Sequence, residues 1–515
     1  MSLAALPFPA GAPVLAPAAV RTLEQRVAHE DGIPTAELMA RAGAAAFAVL
    51  RERWPQAQRI TVVCGRGNNA GDGYVLARHA YQAGLQVQVL QLPGETVDAG
   101  SHVSDAAAAL AALPVPPEGF EPGKLANADV IVDALFGIGL RGKPHAAAAL
   151  VIAAINASHK PVLALDIPSG LDAETGAGVA HAVHASATVT FVAVKPGLVT
   201  GRAVEAVGEL IYRSLGIAAS RLGSAAEWLS LADLQARLPL RRRASHKGEQ
   251  GHVLVVGGSA GMGGAARLAG EAALRTGAGL VSVYCHRDYA GGLLAARPEL
   301  MVTGYEPVPD FHQMDPLVAR ADVIVVGPGL STAAWAMPVV EHVLHAAPDS
   351  ALKRQRTLLL DADALNLLAM RPPSEPLSQA ILTPHPGEAA RLLGVTTAEI
   401  EADRWQAVRE LQRRYGGVVV LKGAGTLVCD GHHISAIAGG NPGMASGGMG
   451  DVLAGVIGAL CGQGFNRFDA ARLGVALHGW AADQAVEQRG GERGLLASDL
   501  FTHFSAGLQP LRRMP

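Results

Sequence analysis

Along most of this 515-residue chain a short apolar run ends in a loop of glycine and polar residues, and a helical pattern follows. Residues 59–64, RITVVC, run into GRGNNAGDG at 65–73; a helix is expected over 74–83, stopped by Gly84, and a strand over 87–90. Strand, glycine loop, helix and strand form one right-handed βαβ unit, so the sheet is parallel and its ligands belong beyond the carboxyl ends of the strands. Strands expected at 129–133 and 161–166 end in DALFGIGLRGK and DIPSGLD, and 188–192 and 209–212 close the pattern. Two helices over 18–53 precede it, the second with Thr35 as its expected N-cap.

After residue 216 the periodicity weakens as far as PLRRR at 239–243. A second α/β pattern then starts at 251–258, with further strands expected at 280–284, 322–326, 357–360, 381–383, 418–421 and 434–436. The halves share architecture but no residue-level repeat. The expected organisation is an α/β domain over 1–220, a linker over 221–245 and a second α/β domain over 246–515.

Half of the residues are hydrophobic and 17% are charged, which excludes a disordered chain. Apolar runs such as 146–155 are too short for a bilayer span. A net charge of −3 gives no electrostatic case for nucleic acid or an anionic membrane, and the arginines at 241–243 read as solvated linker. Cys64, Cys285, Cys429 and Cys461 are scattered with no CxxC pair, which points to reduced, buried thiols in the cytoplasm. The proline-broken N-terminus reads as a lead-in and not as a signal peptide.

In the first half, Asn68, Asn69 and Asp72 set side-chain oxygens between glycines, which suits a hydroxylated ligand or a hard cation. Asn69, Asp133, Asp166 and Ser169 all stand at strand ends and should converge on one sheet edge. In the second half, NPGMASGGMGDVLAG at 441–455 is a glycine-rich turn feeding an apolar helix. Unpaired N–H groups at the positive end of a helix dipole hold phosphate. Asp451, at the mouth of that site, can accept the proton of an attacking alcohol. Lys422, Gly423, Ala424, Gly425 and Thr426 supply an ammonium, flexible backbone and a hydroxyl, a set that suits an adenine nucleotide. No Walker A lysine motif is present, so the expected chemistry is phosphoryl transfer to a small molecule. His385, between two prolines, is a candidate substrate contact; His246, His252, His432 and His433 read as structural, and no His/Cys cluster has zinc spacing.

With these motifs in order, the sequence resembles the bifunctional NAD(P)H-hydrate repair enzymes over nearly its whole length. GRGNNAGDG, VDALFGIG and DIPSGLD carry the resemblance to the NAD(P)H-hydrate epimerase domain. HKGEQGHVLVVGGS, GPGL, LDADAL, TPHPGE, LKGAGT and the 441–455 stretch carry that to the dehydratase domain. The resemblance implies a Rossmann-like first domain and a ribokinase-like second one. It implies that the first interconverts the R and S epimers of NADH or NADPH hydrated at ring carbon C6, and that the second dehydrates the S form at the expense of ADP, with Mg2+.

By matching position, Asn68, Asn69, Ala70, Gly71 and Asp72, then Gly137, Ile138, Gly139, Leu140, Arg141, Gly142 and Lys143, and Asp166 would contact the hydrate. Asn69, Asp133 and Ser169 would bind K+, and Asp166 is the candidate proton carrier. In the second domain Ala265, Gly329, His385 and Asp451 would contact the hydrate, Asp451 as catalytic base. Lys422 to Thr426 with Gly450 would hold the nucleotide. A homo-oligomer is expected. Two positions depart from the family pattern: Ser331 follows GPGL where glycine is common, and Met449 stands where a small hydroxyl residue is usual. Two other readings use the same residues: a small-molecule kinase releasing a stable phosphoester, and a non-catalytic first domain that binds a partner.

Overall fold

The computed structural model describes residues 11–92, 104–140, 142–218, 221, 223, 226–235, 238–306, 308–346 and 355–509. The chain divides into two compact units, Ala12–Glu227 and Trp228–Pro515.

In the first unit, α1 (Pro17–Glu30) and α2 (Thr35–Arg53) lead into β1 (Arg59–Cys64), α3 (Asn68–Gln82) and β2 (Gln86–Gln91). After α4 (Asp105–Ala111) come β3 (Glu118–Gly119), β4 (Val130–Ala134), α5 (Ala146–Ala157), β5 (Val162–Leu165), β6 (Ala187–Phe191) and β7 (Glu209–Arg213). All strands are parallel, in the order β3-β2-β1-β4-β5-β6-β7. Because the order reverses at β1, a crevice opens beyond the carboxyl ends of β1 and β4, where ligands of such sheets sit.

Two boundaries differ from expectation for physical reasons. Thr35 is the first helical residue and Pro34 the N-cap, so the Thr35 hydroxyl is free to donate to Asp105 at 2.6 Å. Helix α3 starts at Asn68, six residues before Tyr74, so the polar stretch Asn68–Asp72 is helical and not a loop. Glycine disguised that helix. A Cβ on Gly71 would lie 2.5 Å from Met39 Sδ, and one on Gly73 2.6 Å from Ala134 Cβ. Close packing outweighs helix propensity at both positions.

The second unit has β8 (His252–Val256), α6 (Gly263–Thr276), β9 (Leu280–His286), β10 (Met301–Tyr305), β11 (Val323–Val326) and β12 (Thr357–Leu360). It continues through α7 (Asp363–Met370), β13 (Ala380–Leu382), α8 (Pro386–Leu393), α9 (Arg404–Tyr415), β14 (Val418–Leu421), β15 (Thr426–Cys429) and β16 (Ile434–Ile437). Two long helices follow, α10 (Met449–Gly462) and α11 (Arg467–Arg489). The strands run β16-β15-β14-β13-β12-β11-β8-β9-β10, parallel except for the last hairpins, β14-β15 and β15-β16.

Helix α10 is buried almost throughout and lies along α6. A Cβ at Gly455 would come 2.1 Å from the carbonyl oxygen of Ala269, so only glycine lets the two helices approach this closely. Arg241, Arg242 and Arg243 are exposed, as the solvated reading expects, and the Arg241 guanidinium also donates to Gly277 O at 2.8 Å and to Gln463 Oε1 at 2.7 Å. All four cysteines are buried and free. Among the described residues no single helix is long and apolar enough to cross a membrane.

Candidate functional sites

In the first unit a cavity of about 500 Å³ opens at the crevice. Asn68, Asn69, Asp72, Gly137, Ile138, Gly139, Leu140 and Asp166 line it. Ala70 is fully buried, and Gly71 packs on Met39, so both lie behind the wall. Gly142 and Lys143 are exposed and outside the lining, and Arg141 lies outside the described residues.

Asn69 is 6% exposed, and neither Oδ1 nor Nδ2 has a hydrogen-bond partner. An unpartnered buried amide is costly, so it marks a place built for a ligand. Gly137 covers it: a Cβ there would stand 3.4 Å from Asn69 Oδ1. Asp133 is fully buried at the end of β4. Its carboxylate accepts from Ser169 Oγ at 2.6 Å, Ser169 N at 2.8 Å and Leu135 N at 3.2 Å. Burial pushes Asp133 up to about 6, against the pull of those hydrogen bonds. Ser169 Oγ also accepts from Phe136 N at 2.9 Å, so Asp133 and Ser169 brace the loop that covers Asn69.

Asp166 follows β5 at φ +66°, a left-handed conformation costly for any residue with a side chain. Its Oδ1 is paired with the buried ammonium of Lys195. Glu24 of α1 lines the same cavity. Lys195 and Glu24 were not among the expected site residues. The lysine sits in VKPG after the apolar run of β6, where sequence gives no sign that it is buried against a carboxylate.

The second site lies at the carboxyl ends of β11 to β14 and the N-terminus of α10. Gly448, at φ +90°, is the N-cap. The N–H groups of Met449, Gly450 and Asp451 precede the first bond of the helix, Val452 N to Gly448 O at 3.0 Å, and so remain for an anion. The Met449 side chain is buried in the core, so this departure costs the site nothing but a possible hydroxyl.

Lys422 Nζ donates to Asp361 Oδ1 at 2.7 Å and stands 3.8 Å from Glu388 Oε2. Burial lowers the Lys422 pKa, but Asp361, Glu388 and Asp451 outweigh it, and the net shift is upward. Burial, then the charge of Asp361, pushes Asp451 up to about 7. Glu388, also raised by burial, reaches about 7. A Cβ on Gly450 would lie 3.3 Å from Lys422 Nζ, so glycine keeps the space over the ammonium open.

His385 is the N-cap of α8. Its Nδ1 accepts from Gly387 N at 3.0 Å, while Glu388 Oε2 accepts from His385 N at 2.8 Å. Burial, then Lys422, lowers its pKa, so the ring is neutral near pH 7. Gly423 and Gly425 take φ +135° and +58°. The carbonyls of Leu421 and Lys422 accept from the buried Arg404 at 3.2 and 3.0 Å, which fixes the start of the 422–426 loop. Gly329 and Ala265 are neighbours, since a Cβ on Gly329 would lie 3.1 Å from Ala265 Cβ. Asp361, Glu388 and Arg404 were not assigned roles from sequence, although LDADAL and TPHPGE contain the first two. His252, read as structural, bonds Ser282 Oγ at 2.8 Å in the core.

Ser331 takes φ +77°, which accounts for the glycine usual there. Its N–H donates to Asp363 Oδ2 at 2.8 Å, a bond that glycine would keep. Ser331→Gly should therefore stabilise the second unit by about 0.5–1 kcal/mol, read as a higher denaturant midpoint.

A family model described as NAD(P)H-hydrate dehydratase matches residues 253–505, and one described as YjeF-related protein N-terminus matches residues 35–197. The bifunctional NAD(P)H-hydrate repair enzyme of Coxiella burnetii is 47% identical, over 95% of this chain and 98% of its own. Its counterpart in Escherichia coli is 44% identical, over 95% of this chain and 93% of its own. Among solved structures, a ribokinase-like superfamily protein from Enterococcus faecalis is 30% identical with a TM-score of 0.49, covering 56% of this chain and 98% of that one. An ADP/ATP-dependent NAD(P)H-hydrate dehydratase from Bacillus subtilis, co-crystallised with ATP/Mg2+, is 29% identical with a TM-score of 0.46, covering 54% of this chain and 96% of that one. By its identity to these relatives over nearly its full length, the chain belongs to the family of bifunctional NAD(P)H-hydrate repair enzymes.

Proposed function

We propose that the second unit removes water from the S epimer of hydrated NADH or NADPH by phosphorylating its ring hydroxyl from ADP, and that the first unit epimerises the R form to supply it. The chain is a bifunctional repair enzyme with an epimerase and an ADP/ATP-dependent dehydratase domain. The observation that carries the proposal is Asp451, raised to about 7 beside Lys422 and next to open helix N–H groups.

In the dehydratase site, Asp451 takes the proton of the C6 hydroxyl as its oxygen attacks the terminal phosphorus of the nucleotide. The P–O bond to the leaving nucleotide breaks, while Lys422 and the α10 N–H groups meet the developing charge. The ring nitrogen lone pair then expels phosphate from C6, and loss of a proton from C5 restores the dihydronicotinamide. Mg2+ would arrive on the nucleotide's phosphates; among the described residues no group of three or more His, Cys, Asp or Glu is arranged for a metal.

In the epimerase site, Asp166 exchanges a proton with the hydroxyl while the ring opens and recloses. Asn69, Asp133 and Ser169 would hold K+, a fit supported by the unpartnered, buried Asn69 amide under the loop that Asp133 and Ser169 brace. The ion would supply positive charge for an anionic substrate. Four buried free thiols support a cytoplasmic setting.

The test supplies purified S hydrate with ADP or ATP and measures dihydronicotinamide absorbance and free phosphate together. Equal release of both supports the reading. A stable phosphorylated hydrate, with no absorbance recovered, would make the second unit a simple kinase.

A further inference from the structure

Four carboxyls line the cavity of the first unit, among them Glu24 of α1, Asp72 of α3 and Asp166 after β5. A single ammonium, that of Lys195, is buried among them at 1% exposure. Its Nζ donates to Asp166 Oδ1, to Phe191 O at 2.8 Å and to Thr190 Oγ1 at 3.1 Å. Three N–H groups thus meet three acceptors, and none is left for a substrate.

Asp166 Oδ1 also accepts from Thr190 Oγ1 and from Phe191 N, each at 3.4 Å. Among the described residues nothing donates to its Oδ2. One oxygen is clamped and the other is available to the cavity that Asp166 lines. Burial raises Asp72 well above the usual carboxylate range, and the charges of Asp166 and Glu24 add to this while Lys195 opposes it. Glu24 is raised by burial and by Asp166, with Lys195 and Arg21 opposing. The remaining charged groups on the lining are Arg66 and Asp105.

We propose that Lys195 is a positioning residue of the first unit: by claiming Oδ1 of Asp166 it fixes that carboxylate as the base and leaves Asp72 to act as the acid. The inference rests on the epimerase reading above. The hydroxyl proton on C6 passes to Asp166 Oδ2, the C6–N1 bond breaks with its electron pair going to N1, and N1 takes a proton from Asp72. The open-chain aldehyde turns about its C5–C6 bond and recloses on the other face by the reverse transfers. Both carboxyls end as they began.

The test uses Lys195→Met and Thr190→Val in the full chain, with kcat and KM for R-to-S conversion followed against pH. Dehydration of the S hydrate by the untouched second unit checks that each variant folds. Lys195→Met should lower kcat on the order of 100-fold with KM within about threefold, the range of a mispositioned general base. The alkaline limb of its kcat profile should move to higher pH, because Lys195 now opposes the rise in the Asp72 pKa. Thr190→Val, which loosens the clamp on Oδ1 without removing a charge, should leave the limb in place with about a fivefold loss in kcat, and it decides the matter if Lys195→Met folds poorly. Wild-type kcat with an unmoved limb, or a change in KM alone, overturns the proposal. Asp166→Asn separates the two ideas. If it is inactive while the other variants are normal, only the role of Lys195 fails; if it keeps full rate, the role of Asp166 fails with it; if wild type does not convert R to S, the epimerase reading itself fails.

Discussion

Asp451→Asn should lower nucleotide-dependent dehydration on the order of 1000-fold, because it deletes the proposed general base while keeping the side chain's shape. Nucleotide binding should persist, since Lys422 and the helix N–H groups are untouched. The wild-type pH profile should carry the same information. Asp451 is pushed up to about 7 by burial and Asp361, and only its ionised form can act as base. Log kcat/KM should therefore climb with pH to about 7 and then level off, and Asp451→Asn should lose that rise. Linkage runs in the opposite sense. Between the ordinary carboxylate range and about 7 the folded state binds the extra proton, so this group's contribution to stability is lost as pH rises through that window. Denaturant midpoints of wild type and Asp451→Asn should diverge across it.

Lys422→Met should be the most disruptive single change in the second unit. The ammonium is the shared partner of Asp361, which is 1% exposed, and of Glu388 and Asp451. Removing one member of a buried pair leaves the other charged and alone, a loss of about 3 kcal/mol or more. It should appear as a lowered denaturant midpoint, and it should raise the pH at which Asp451 ionises, because Lys422 now holds that pKa down. Adding Asp361→Asn should restore much of the stability and none of the activity, since the phosphate would still lack its cation. A Lys422→Met enzyme with wild-type stability would mean that the carboxyls are neutralised in some other way.

The parallel sheets and the loops at their carboxyl ends were legible because apolar strands and glycine turns recur in register with the βαβ pattern. Which side chains meet was less so. Asn69, Asp133, Asp166 and Ser169 stand at strand ends, where topology alone makes them neighbours. Lys195 reaches Asp166 across 29 residues, and Lys422 reaches Asp361 across 61. Nothing local to either lysine announces burial. In the sequence, helix α3 reads six residues short because Gly71 and Gly73 lower helix propensity, and only the packing of Met39 and Ala134 explains them. Ser331 was visible as an oddity, but its positive φ supplies the reason. The arginines after Pro239 are exposed, as a charged run should be, although Arg241 also bonds the end of α6 and Gln463.

One measurement bears most directly on the division of labour between the two units. Mixed R and S hydrate is incubated with ADP and Mg2+, and recovered dihydronicotinamide is followed to completion for wild type, Asp451→Asn and Asp166→Asn. Wild type should recover both epimers and Asp451→Asn almost none, while Asp166→Asn should recover the S fraction quickly and the R fraction no faster than it epimerises unaided. Full, rapid recovery of both epimers by either variant would contradict the assignment of chemistry to these two aspartates.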